Sequence, residues 1–127
     1  MLNSGIKSGG TAVMLRRWRV VEVVTVSGAR SRHVWGHDAE HDEGRVSSAI
    51  VDFKMESMTA TTTSGARFKL LGLPGHSRKG ETVWEQWCSA QGVVSQRDVT
   101  NDYMDPDDVS TRQFVALNDS AFFSKPK

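Results

Sequence analysis

RWRVVEVVTV, residues 17–26, sets six β-branched residues within ten. Branching at Cβ suits a pleated strand better than a helix. Successive strand side chains point to opposite faces, and here both rows are apolar, Val20 and Val24 on one and Val21 and Val23 on the other. A strand of this kind has to be covered twice, inside a sheet or at a subunit interface. Ser27-Gly28 ends it, and the alternating run Arg32 to His37 reads as its partner across the turn Ser27 to Arg30.

Further strands follow downstream. Val46 to Phe53 carries Val, Ile and Phe, behind a polar loop at 38–44. Met58 to Thr63 and Ala66 to Leu71 flank Ser64-Gly65 and form the clearest hairpin. In its second arm Phe68 and Leu70 share one face, while Arg67, Lys69 and Leu71 share the other. Three glycines and a proline in residues 72–80 then break the sheet.

The period changes next. Val83, Trp84, Trp87, Cys88 and Gln91 fall on one helical stripe, with Glu85, Gln86 and Ser89 opposite. The run Thr82 to Glu85 has the capping-box form and Gly92 the stop, so a helix is expected at about 82–91. Its two tryptophans need cover, since burying each contributes on the order of 2–3 kcal/mol. Val93-Val94 reads as a brief strand, 106–109 as one helical turn, and Ser110 to Leu117 as a last strand.

The expected fold class is therefore α+β, a small antiparallel, strongly twisted or barrel-like sheet of five to six strands with one amphipathic helix packed on it. The organisation expected is a flexible segment at 1–12, a single domain at 13–117 and a tail at 118–127. A chain of 127 residues with 38% hydrophobic content supports one modest core. Together with the two-faced strand, that makes a homodimer or higher homo-oligomer the expectation. Sixteen basic residues against fifteen acidic ones give a net charge of +1, so no generic pull toward nucleic acid or membrane follows. No apolar run is long enough to span a bilayer, and the first residues lack the form of a secretory signal. The single cysteine, Cys88, forbids an internal disulfide, which makes the cytoplasm the expected location.

HVWGHDAEHDEG, residues 33–44, places His33, His37 and His41 four apart among acids. Imidazole binds zinc or nickel readily, and a spacing of four aligns side chains on a helix or a strand. Gly36 and the β-rich flanks argue against a helix, and a strand ending near Asp38 would leave His41 in a loop. The competing readings are a hydrated loop whose acids raise the pKa of the histidines, and a His–carboxylate pair for hydrolysis.

GHSRKGET, residues 75–82, nearly has phosphate-loop spacing, but Glu81 stands where that loop needs Lys. A milder reading survives, an anion held at the helix start by Arg78, Lys79 and Gly80, against a solvated basic loop. Cys88 sits on the apolar stripe, where a packed structural thiol is favoured over a nucleophile. Arg16 to Arg19 joins base and aromatic, and with Arg30, Arg32, Arg45, Arg67 and Lys69 it makes a candidate basic sheet face for nucleic acid. Lys and Arg that merely protect strand edges explain these residues equally well. Asp102, Asp105, Asp107 and Asp108 lack calcium-loop spacing and read as turn and cap residues.

VWGH at 34–37, GRVSSAI at 44–50 and TATTTSGARFKLLG at 59–72 together resemble short uncharacterised bacterial proteins of mobile elements, such as integron gene cassettes and prophages. Those share a pattern of Gly-His, then Thr-Ser before Ile, then a Thr and Ser-Gly run ending in an aromatic and Leu. Ser47-Ser48 departs from the usual Thr-Ser, and the Trp-rich helix is an addition. The resemblance implies a compact β fold and a mobile origin. It transfers no catalytic residue.

The leading expectation is a non-enzymatic binding or protein-interaction module without a cofactor. Trp35, Trp84 and Trp87 would line its ligand site, with His33 and His37 at the rim. Its partner would be a small molecule or another protein. The alternative is a metal-dependent hydrolase using His33, His37, His41 and Asp38. Nucleic-acid binding through the arginine-rich face is the third.

Overall fold

The computed structural model describes residues 12–105. Residues 17–25 lie in β1, Val13–Thr25, which spans the middle of the sheet. It pairs antiparallel with β2, Arg30–Asp38, in a register that sets Val20 opposite Val34 and Val21 opposite His33. The other edge of β1 is shared by two strands. Val13 to Leu15 pair with β6, Arg67–Leu70, and Val21 to Thr25 pair with β7, Val93–Asp98. Between these stretches the β1–β2 register shifts, and Arg17 takes a φ of 51°, a bulge that bends the strand and turns it from one partner to the next.

β3, Glu43–Val46, extends the sheet beyond β2. β5, Thr59–Thr62, and β4, Ile50–Lys54, extend it beyond β6, so the order is β3-β2-β1-β6-β5-β4, with β7 joined to β1. The expected strand at 46–53 is in fact two strands. Ser47 interrupts it, donating its N–H to the Val34 carbonyl and accepting the Val34 N–H on Oγ, both at 2.9 Å. The short link 47–49 joins the two terminal strands of the order, so the sheet ends curl toward each other. Among the described residues no ladder closes them.

Three expectations need correction. The sheet has seven strands among the described residues, not five to six. It is mixed, because β1 and β6 run parallel. It is open, not a barrel. The parallel pair arises because the chain leaves β1 through β2 to β5 and returns by the β5–β6 hairpin, whose last strand meets the start of β1. That hairpin lies where the sequence placed it, with Gly65 at a φ of 89° in its turn and Phe68 and Leu70 buried. The expected turn and strand at 106–117 and most of the flexible segment at 1–12 lie outside the described residues.

The helix α1 is longer than expected, Arg78–Gln91. Its cap is Ser77, not Thr82: Ser77 Oγ accepts the Gly80 N–H at 2.9 Å, and Thr82 Oγ1 instead donates to the Arg78 carbonyl. Arg78 and Lys79, read as loop, form the first turn. Gly92 closes the helix at φ 68°, as expected.

Both apolar faces of β1 are covered within the chain. On the inner, curled side Leu15, Trp18 and Val20 meet Val34, Phe68, Leu70, Val99, Tyr103 and Met104. On the outer side Val21 and Val23 meet Trp35 and Trp84, with Trp87, Cys88 and Val46 packed around them. A 3-10 turn at Thr100–Tyr103 closes the inner core, its Thr100 Oγ1 accepting the Val20 N–H at 3.0 Å. The cover that the two-faced strand demands is thus supplied by α1 on one side and by the sheet's own curl on the other.

Candidate functional site: an aromatic and acidic cleft

The outer core is built on a row of rings. His76 meets Trp35 edge-on at 5.9 Å, and Trp35 lies near-parallel to Trp84 at 6.3 Å. Trp84 stacks on Trp87 at 5.3 Å, and Trp87 leans on His33 at 4.4 Å. β2 supplies Trp35 and His33 from alternate positions of one face, and α1 supplies Trp84 and Trp87 three apart.

Beside Trp35 and Trp84 a cleft of about 360 Å³ opens between α1, β1 and β7. Val21, Trp35 and Trp84 supply its apolar lining, and Glu81, Glu85, Gln96 and Asp98 its polar lining. Gln96 Oε1 accepts the Trp84 indole N–H at 3.1 Å. Trp35 is 6% exposed, and its indole N–H is buried without an acceptor among the described residues. A buried donor left unpaired costs about 1–3 kcal/mol, so this one calls for an explanation. Asp98 is paired with Arg19 at 3.0 Å, and Glu81 with His76 at 3.0 Å. Glu85 has no ion pair among the described residues.

Of the residues expected to bind a ligand, Trp35 and Trp84 line this cleft. His33 and Trp87 continue the ring row beyond it, and His37 is tied to Asp42 at 3.0 Å. Glu81, Glu85, Gln96 and Asp98 were not singled out. Glu81 was within reach, one turn before Trp84, whereas Glu85, expected on the face opposite the tryptophans, lies at the cleft instead. Gln96 and Asp98 arrive only through the pairing of β7 with β1.

The three histidines go separate ways. His33 is 4% exposed, its Nδ1 donating to the Ser47 carbonyl at 3.0 Å and its Nε2 bonded to Ser31 Oγ at 2.7 Å. Burial holds its pKa below the usual imidazole range, against smaller opposing hydrogen bonds to the backbone of Ser47 and Ser48. His41 binds Asp38 at 2.9 Å, and that hydrogen bond raises its pKa. Asp38, Glu40 and His41 are the one group among the described residues with metal-ligand proximity. Yet Asp38 is 1% exposed and already accepts from the N–H groups of Glu40 and His41, from His41 Nδ1 and from Arg45. Burial raises the Asp38 pKa, but the His41 and Glu40 hydrogen bonds outweigh it and the net shift is downward. The arrangement staples a loop.

Arg78 and Lys79 line a second hollow, but Asp42 and Glu43 line it too, and Lys79 pairs with Asp42 at 2.9 Å. Ser77 Oγ takes the Gly80 N–H that an anion would need. Trp18 of the basic–aromatic run is fully buried and donates to the Gly72 carbonyl. Arg30, Arg32 and Arg97 converge on Glu22, Arg32 also reaches Asp102, and Arg45 holds Asp38 and Glu43. Cys88 is half-buried, and burial, aided by Glu85, raises its pKa, which disfavours the thiolate. No helix among the described residues is long and apolar enough to cross a membrane.

Compared with family models, with curated proteins and with solved structures, the chain matches none of them.

Proposed function

We propose that this protein is a non-enzymatic binding module whose ligand sits in the cleft beside Trp35 and Trp84. One observation carries the reading: a cleft of about 360 Å³, within the range of small-molecule sites, walled by two near-parallel indoles and rimmed by Glu81, Glu85, Gln96 and Asp98. Asp38 and His41, in the group with metal-ligand proximity, are engaged in stapling a loop, so recognition is favoured over turnover.

The test uses the full chain with ¹⁵N-labelled tryptophan. A fragment set of neutral, cationic and anionic aromatic compounds is added, and the four indole N–H resonances are followed. Saturable shifts are expected at Trp35 and Trp84, with Trp18 unmoved. If no member of the set shifts Trp35 or Trp84, or if Trp35→Phe and Trp84→Phe leave binding unchanged, the reading fails.

A further inference from the structure

We infer that the cleft selects a small organic ammonium ion, with its apolar body against Val21, Trp35 and Trp84 and its charged head toward Glu81, Glu85 and Asp98. This rests on the binding reading above and adds the sign of the ligand's charge.

The electrostatic balance of the cleft carries the inference. Three carboxylates line it and, among the described residues, no arginine or lysine does. Arg19 offsets Asp98, and His76 shares an oxygen of Glu81, but Glu85 is left without a cation among the described residues. Carboxylates beside low-dielectric walls focus their field into the space between, which concentrates cations and repels anions. Indole and valine supply those walls here. The groove also has the size for an arylalkyl body, so the carboxylates gain a partner without desolvating it fully.

Calorimetric titration of the full chain with phenethylammonium, 2-phenylethanol and 3-phenylpropanoate separates charge from shape. Saturable binding of the ammonium is expected, with the alcohol about tenfold weaker and the carboxylate weaker still. Glu85→Gln should weaken the ammonium about two- to fivefold, the scale of one exposed charge, and leave the alcohol unchanged. Glu85 makes no ion pair among the described residues, so its replacement leaves the fold intact, which unchanged melting would verify. Equal binding of ammonium and alcohol, tighter binding of the carboxylate, or indifference to Glu85→Gln each overturns the ammonium inference while the binding reading stands. If none of the three binds, the inference also falls, and the indole shifts with the wider fragment set then decide the binding reading separately.

Discussion

Gly80 of the helix rests against Gly36 of β2 so closely that a methyl group on Gly80 would lie 2.8 Å from the Gly36 carbonyl oxygen and 2.9 Å from the Trp35 ring. The contact sets how far α1 stands from the sheet, and so how Trp84 meets Trp35. Gly44 repeats it nearby, where a methyl would fall on the Lys79 carbonyl. In an ordinary helix Gly→Ala stabilises by up to about 1 kcal/mol. Here the obstacles are backbone and a packed indole, which yield poorly. Gly80→Ala should therefore destabilise by about 1–3 kcal/mol in urea unfolding. A neutral or stabilising effect would show that the helix rides higher than described.

The position of the cap separates two readings of the helix start. Ser77→Ala removes the oxygen that receives the Gly80 N–H and should cost about 1 kcal/mol. Thr82→Ala touches only an exposed bond to the Arg78 carbonyl and should fall within about 0.5 kcal/mol of the parent. Reversed values would put the cap at Thr82 and shorten the helix.

His33 predicts an acid-sensitive fold. Burial lowers its pKa, so the folded state binds its proton less readily than the unfolded chain, whose value is 6.5. The stability it secures is present in full above 6.5 and is lost as pH falls from 6.5 through the lower folded value. His41 works oppositely. Its pKa is raised by Asp38, so its contribution is present below 6.5 and fades as pH rises through the folded value. Melting temperature followed from pH 8 downward in a His41→Ala background should fall below 6.5, and His33→Gln should flatten that limb. An unchanged slope in His33→Gln would assign the acid sensitivity elsewhere.

Glu22 gathers three arginines on one almost buried carboxylate, Arg97 and Arg30 on Oε1 and Arg32 on Oε2. The hydrogen bonds from Arg97 and then Arg32 hold its pKa below 4.5 despite burial. Glu22→Gln should lower the melting temperature at pH 7, since it leaves guanidinium groups of β2 and β7 crowded without their shared anion. The ionised carboxylate contributes fully above 4.5 and is lost as pH falls through its lower folded value. The gap between variant and parent should therefore narrow in acid. A constant gap would make the effect one of packing alone.

Local residue patterns were enough for the elements whose period is written in adjacent residues. The two-faced β1, the hairpin around Ser64-Gly65 with Phe68 and Leu70 inward, and the helix with its stop at Gly92 were all legible, because branching, alternation and the 3.6 repeat act locally. The choice of partners was not legible. That β6 meets β1 in parallel, that Ser47 splits one apolar run into two strands, and that Ser77 caps the helix depend on contacts between residues far apart in the chain. The cleft divides the same way. Glu81 stands one turn before Trp84, a spacing that the helix alone imposes, but only the pairing of β7 with β1 brings Gln96 and Asp98 to Trp35. The histidines show the limit most clearly: four apart in sequence, they are parted by a buried serine contact, a loop and an aspartate, because local spacing sets where a side chain starts and tertiary packing sets what it finds.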